Sequence, residues 1–261
     1  MSQDISKVLA GWEFDPDKVT VRIIHGEDGR ERVQLRLDLG LLQMEMQGRP
    51  DGYRPHDCDS WLEYYQRRQA TAAADPRGHG FQLNGDDCVR LLSEGMQYYH
   101  RYLSFWNLSR YELCARDTLR NLRLFAFVRQ YASDEDKKQF EQWRPYVTMM
   151  HARAVGTPLL AAGDLTGALE AVERGIRGLE DFLREHKHTH RAADCAELKF
   201  LRQWRKDIAA RQSVSGTHGR EVMRRTLCDQ LDAAVAAEQY EEAARLRDAI
   251  RGLDAAPAPG G

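Results

Sequence analysis

The sequence predicts a mainly α-helical protein with a small antiparallel β layer at its N-terminal end, an α+β arrangement. Three observations carry that prediction. Within the first fifty positions apolar and polar residues alternate at a period of two, the pattern of a strand with one buried face. From about residue 57 onward apolar residues recur at threes and fours, which places them along one stripe of a helix. Near the C-terminal end two short apolar stripes flank a tight turn, as a helical hairpin requires.

The strands come first. Thr20-Val21-Arg22-Ile23-Ile24-His25 leads into Glu27-Asp28-Gly29, after which Val33, Leu35, Leu37 and Leu39 alternate with Gln34, Arg36 and Asp38. Two alternating runs around Asp-Gly predict a β-hairpin, because these residues tolerate the positive φ of tight hairpin turns. After Gly40 the apolar parity shifts to Leu42, Met44 and Met46, and a bulge or bend at Gly40-Leu41 is expected to bring both sets to one face. Trp12 and Phe14 are candidates for an edge strand before Asp15-Pro16-Asp17. A ribbon of this size is marginal alone and should lie on helices. Residues 1–56 are assigned to this region.

Helices follow the prolines and glycines of Gly48–Pro55. Trp61, Leu62, Tyr64 and Tyr65 open the first, which fades before Asp75-Pro76-Arg77-Gly78. The next is capped by Asn84 or Asp86 and carries Val89, Leu92, Met96, Tyr99 and Leu103 at helical spacing. A third carries Leu113, Leu119, Leu122, Phe125 and Val128. Ser133 with Asp134, Glu135 and Asp136 reads as a helix start, since these acids meet the positive end of the dipole. Pro145 kinks or restarts that segment. At Gly163-Asp164 two helices meet, with Ala162, Ala168 and Ala171 small enough for close approach. That turn resembles a tetratricopeptide-repeat hairpin, but no clean 34-residue period runs through the chain. The expectation is a bundle of about six helices over 57–212, tetratricopeptide-like in style. A last bundle helix covers roughly Arg191–Arg211. Ser213–Gly219 reads as a linker, 220–253 as a helical hairpin, and 254–261 as a disordered Pro/Gly/Ala tail.

Composition narrows the function classes. Of 261 residues 42% are hydrophobic and 30% charged, with a formal net charge of −2. The chain can bury a core, and it lacks the strong basic excess of a protein coated for nucleic acid. Cys58, Cys88, Cys114, Cys195 and Cys228 are isolated, without the Cys-x2-Cys spacing of a zinc loop. Free thiols, no secretory start and no apolar run approaching ~20 residues point to a cytoplasmic protein outside the membrane.

The C-terminal hairpin is the most specific feature. Leu227, Leu231, Ala234 and Val235 form one stripe, and Ala243, Leu246, Ile250 and Leu253 form the other. Glu238-Gln239-Tyr240 makes the turn, with Tyr240 covering the open end. Ala243 and Ala244 allow close packing, while Arg247 and Asp248 point in different directions. Tyr240-Glu241, Ala243-Ala244, Leu246-Arg247-Asp248, Ile250 and Leu253 resemble the UVR motif. That motif is shared by the UvrB and UvrC excision-repair proteins, Clp-type unfoldase subunits and the arginine-kinase activator of Gram-positive bacteria. The resemblance covers about a tenth of the chain. It implies a coiled-coil-like element that binds a protein partner, or a second copy, and performs no chemistry. Leu37–Met46 with Gly48–Gly52 is also similar to uncharacterised bacterial proteins, chiefly planctomycete, that end in a UVR motif, and this brings no known activity.

No phosphate loop, dinucleotide fingerprint, nucleophile elbow or His-Glu-x2-His helix is present. The activator's zinc cysteines, the UvrB helicase motifs and the UvrC nuclease domains are missing too. His186 and His190, four apart, could share one helix face and hold a metal edge, although imidazoles also suit a solvated helix C-terminus. Six arginines between Arg101 and Arg129, interleaved with aromatics, single out Arg116, Arg120 and Arg123 as candidate nucleic-acid contacts. Arg184–Arg211 is a second basic stretch. The expectation is a non-enzymatic adaptor without catalytic residues, cofactor or metal. It docks a protein partner or itself through Leu227, Leu231, Val235, Tyr240, Glu241, Ala243, Ala244, Leu246, Arg247, Asp248, Ile250 and Leu253. The alternative is a nucleic-acid-associated accessory factor linked to DNA repair, working through the arginine-rich helices.

Overall fold

The computed structural model describes residues 4–74, 80–187, 192–236 and 240–255; over 214–222, 233–236, 240–243 and 253–255 it describes the backbone alone. The architecture is mostly helical with a small antiparallel sheet, as the periodicities predict. A short helix α1 (Ser6–Leu9) precedes strands β1 (Val21–His25), β2 (Glu31–Leu37) and β3 (Gly40–Glu45), ordered β1-β2-β3. Leu37 pairs with Gly40, Leu35 with Leu42 and Val33 with Met44. The expected bulge at Gly40-Leu41 is therefore a second hairpin, turning at Asp38-Leu39. In a two-residue hairpin, paired positions have odd and even numbers, so the apolar parity must switch between strands. Trp12 lies outside any strand. Its ring lies under the Arg22 guanidinium at 3.9 Å, and its carbonyl accepts from Arg36 Nε at 2.9 Å.

Val33, Leu35 and Met44 are buried on one face of this sheet, with Leu108 of the bundle packed against them. Gln34 is buried on the other, accepting from Arg22 Nε (2.8 Å) and donating to Gln43 Oε1 (2.9 Å). The sheet thus has an apolar face toward the helices and a polar face satisfied by its own cross-strand partners.

The helices are α2 (Trp61–Ala73), α3 (Gly85–Asn107), α4 (Tyr111–Tyr131), α5 (Asp134–Glu141), α6 (Arg144–Ala161), α7 (Leu165–Glu185), α8 (Ala196–Ala236) and α9 (Tyr240–Ala255). Their starts follow local chemistry. Asn84 caps α3 in a reciprocal capping box with Asp87. Ser60, Ser133 and Asp164 cap α2, α5 and α7, each giving an oxygen to an N–H that lacks a helical partner. Pro145 sits in the first turn of α6, where its missing N–H is harmless. Gly163 ends the α6–α7 connection at φ +81°, a conformation that glycine adopts without strain.

Two cores organise the bundle. One joins α2 to α6 through Tyr65, Leu91, Tyr102, Phe105, Leu124, Val128, Phe140 and Met150. The other joins α6, α7 and α8 through Ala152, Ala168, Val172, Ile176, Leu179, Leu198, Leu201 and Ile208. Close approach there comes from Ala168 and Ala171, as expected, but Ala162 is exposed. Glycines complete it: a Cβ on Gly175 would lie 2.7 Å from Ala152 Cβ, and one on Gly156 would lie 2.9 Å from the Trp204 ring.

Two further expectations are corrected. The buried face of α3 is not centred on the expected Val89, Leu92, Met96, Tyr99 and Leu103, of which Leu92 and Tyr99 pack half-buried against the core while Val89 is 65% exposed. That face is displaced by one residue to Cys88, Leu91, Tyr98, Tyr102 and Phe105, together with Glu94 and Arg101. Buried charges occupy positions that an apolar-stripe search rejects. The linker at 213–219 is not a break either, because the backbone stays helical from Ala196 to Ala236. Gly216 and Gly219 each cost only about 1 kcal/mol relative to alanine, too little to end a helix held at both ends.

Candidate functional site

The candidate hairpin is built from the distal part of α8 and from α9, which pack on each other. At 41 residues α8 is about 60 Å long, so one helix serves both the second core and the hairpin. Ile208 is its last residue in that core. Beyond it, Leu227, Cys228 and Leu231 of α8 and Leu246 and Ile250 of α9 are half-buried, whereas Met223, Ala244, Arg247 and Asp248 are exposed. Asp248 faces Arg251 of its own helix at 3.7 Å. Leu227, Leu231, Leu246 and Ile250 are thus half-buried on two helices that pack on each other, with apolar surface left on each. None of these four side chains belongs to either bundle core. Side chains of Val235, Tyr240, Glu241, Ala243 and Leu253 lie outside the described residues, as do Glu238, Gln239 and residues 256–261. The tail expected from 254 is still helical at 254 and 255.

The arginines chosen for nucleic acid have other work. Arg116 donates to Asp117 Oδ1 (2.9 Å), Gln47 Oε1 (2.6 Å) and the Met46 carbonyl (2.9 Å). Arg120 is paired with Glu94, whose side chain is fully buried. Desolvation, with the Arg49 cation nearby, lowers the Arg120 pKa to about 9, so it stays charged at neutral pH. Its guanidinium also lies over the buried Tyr98 ring at 4.1 Å. Arg123 is exposed. Arg116 and Arg120 thus hold the protein together, and the continuous cationic and aromatic surface that single-stranded nucleic acid would need is not formed by these three.

What sequence reasoning missed is the polar junction they belong to. Arg101 and Asp117, each 1% exposed, form a bidentate pair (2.7 and 3.0 Å), and Arg101 Nη1 also donates to the Glu45 carbonyl (2.8 Å). Glu94 accepts from the Trp61 and Leu62 N–H groups (2.7 and 3.3 Å). It thereby caps the start of α2 from a different helix. Arg49 reaches Glu94 at 3.4 Å and pairs with Asp51, which also accepts from Gln97. Strand β3, the loop after it, α2, α3 and α4 are joined through charged groups.

The metal-like cluster also changes. His190 lies outside the described residues, and His186 instead meets Glu141 and Glu185, their ligand atoms within 4.8 Å of one another. His186 Nδ1 is hydrogen-bonded to the Phe182 carbonyl (2.9 Å), leaving Nε2 3.5 Å from Glu141 Oε2. However, Arg144 Nη1 donates to both Glu141 (3.0 Å) and Glu185 (2.6 Å), and Arg129 pairs with Glu185 (2.8 Å). Two guanidinium cations already balance the two carboxylates, which makes this an ion-pair network.

Burial pushes the thiols of Cys88 and Cys114 up to about 12, so neither is a thiolate at neutral pH. Among the described residues no helix is long and apolar enough to cross a membrane.

Comparison with known proteins agrees with the hairpin. Residues 221–256 match the family model described as the UvrB/uvrC motif. No curated protein and no solved structure matches the chain.

Proposed function

We propose that this chain is a non-catalytic adaptor that docks a protein partner, or a second copy of itself, through the hairpin at 227–253. The observation that carries this is the UVR match over 221–256 on a helix pair where Leu227, Leu231, Leu246 and Ile250 lie outside both bundle cores. A two-helix unit buries too little surface to satisfy both of its faces alone. Leu227, Leu231, Leu246 and Ile250 remain half-exposed and supply an apolar stripe for a partner helix, with Arg247 and Asp248 beside it to set orientation.

The test is a pull-down combined with gel filtration, comparing the full chain with a chain ending at residue 219. Loss of a partner or of a dimer on truncation is the expected result. An unchanged partner set and an unchanged mass would overturn the proposal. Arg247 is exposed, so Arg247→Glu should weaken association while leaving the hairpin folded, read by the same gel filtration with circular dichroism.

A further inference from the structure

A second feature lies away from the hairpin, in a cleft of about 330 Å³ between α4, α6 and α7. Its size is at the lower end of ordinary small-molecule sites. Three arginines, Arg129, Arg144 and Arg174, reach its lining, and among the described residues no carboxylate does. The wall along α7 carries no side chain at Gly175 and Gly178, and space for one is tight at both. A Cβ on Gly178 would lie 3.2 Å from Thr148 Cγ2, and one on Gly175 would press on Ala152. His151 also lines the cleft, its Nδ1 held by Thr118 Oγ1 at 3.1 Å.

The arginines are already arranged for an acid. Arg129 Nη1 (2.8 Å) and Arg144 Nη1 (2.6 Å) converge on one oxygen, Oε2 of Glu185. Glu185 belongs to the last turn of α7, is 43% exposed and does not line the cleft. A side chain so placed can swing into solvent, which leaves two converging guanidinium groups beside an apolar wall. Paired guanidiniums recognise carboxylates and phosphate esters with directional, charge-assisted bonds.

We infer that this cleft binds a small organic anion, its acidic group taking the place of the Glu185 carboxylate on Arg129 and Arg144 and its flat apolar body lying over Gly175 and Gly178. Arg174, about 16 Å along α7 from Glu185 and 3.7 Å from Glu170 of its own helix, stands at the other end of the cleft. Arg144 keeps its bond to Glu141 in both states, so Arg129 is the cation freed for the ligand.

Titration calorimetry on the full chain tests this with four probes: phenyl phosphate, benzoate, inorganic phosphate and benzamide. Phenyl phosphate or benzoate should bind one to one. Inorganic phosphate, which lacks the apolar body, and benzamide, which lacks the charge, should each bind at least about tenfold more weakly. Arg129→Gln should weaken the organic anion about tenfold, and Glu185→Gln, which removes the internal competitor, should tighten it severalfold. If the Arg129 variant does not fold, Arg174→Gln, whose side chain is 58% exposed, takes its place with a smaller expected loss. Absence of binding by both organic anions overturns the inference, as does an Arg variant that binds like the wild type. Benzamide binding as tightly as benzoate, or phosphate as tightly as phenyl phosphate, overturns it too.

Discussion

The two halves of the bundle solve the same packing problem with opposite chemistry. Where the sheet meets α2, α3 and α4, the interior holds Glu94, Arg101 and Asp117 among large aromatics such as Tyr65, Tyr98 and Phe105. Where α6, α7 and α8 meet, it holds aliphatic side chains around Ala152, Ala168, Gly156 and Gly175. The first joins elements of different kinds, a sheet edge and three helix faces. It needs donors for the carbonyls of Glu45 and Met46 and an acceptor for the free N–H groups of α2. The second joins helices that satisfy their own backbones, so proximity alone stabilises it. Charge appears in a core where irregular backbone must be satisfied, and small residues appear where it need not be.

The largest effect should come from breaking the charged half. Asp117→Ala leaves Arg101 buried and unpaired, and urea denaturation should show a loss of about 3–5 kcal/mol. Arg101→Met combined with Asp117→Leu should recover a large part of that, because an apolar pair of similar volume is tolerated better than a lone charge. If the double variant is as unstable as the single one, the pair's bonds to β3 and Arg116 matter more than its burial.

The apolar half should respond to volume instead. Gly175→Leu overpacks the contact with Ala152 and Leu201, and denaturation should show a loss of about 1–3 kcal/mol. A matched pair of alanine variants sharpens the point. Gly252→Ala on α9 meets nothing within 4 Å and should gain about 0.5–1 kcal/mol of helix stability. Gly175→Ala should lose that gain to crowding, and equal gains at both sites would show that the α6–α7 approach is looser than described.

Smaller still is the cap of α3. Asn84→Ala removes the side-chain half of its capping box, leaving the residue-84 N–H on the Asp87 carboxylate, and should cost about 1 kcal/mol, read as a lower thermal midpoint.

The mildest prediction concerns pH. Burial lowers the pKa of His100 on α3 and of His151 on α6 below the ordinary value of 6.5. The folded state therefore binds these protons less readily than the unfolded chain. Their contribution to stability is full above pH 6.5 and is lost as pH falls through the lowered folded-state values. A stability profile from pH 7.5 to 4.5 should decline, and His151→Gln should flatten it. A profile with equal slopes for variant and wild type would remove His151 from that account.

Periodicity was enough to read much of this protein. The Asp28-Gly29 turn, the strand alternation, the caps at Asn84 and Ser133, the Gly163-Asp164 turn and the place of Pro145 are all local facts, and the structure keeps them. The UVR hairpin was legible for the same reason, since its landmarks lie within one continuous stretch that the family model also finds. Misreadings arose where position and residue type disagree. The apolar search on α3 slid by one residue because Glu94 and Arg101 stand on the buried face, and composition assigns such residues to solvent.

By itself, then, the sequence determined the fold class and the UVR motif, because each depends on residues a few positions apart. Only the tertiary structure decided what the charges do. Arg120 and Glu94 are 26 residues apart, Arg116 and Gln47 are 69 apart, and Arg129 and Glu185 are 56 apart. Neither partner of such a pair reveals the other locally, and the same arginine is a surface contact or an internal strut depending on which carboxylate the fold brings to it. The meeting of Arg129 and Arg144 on a single carboxylate beside a cleft is a property of three helices packed together, and no one of them encodes it.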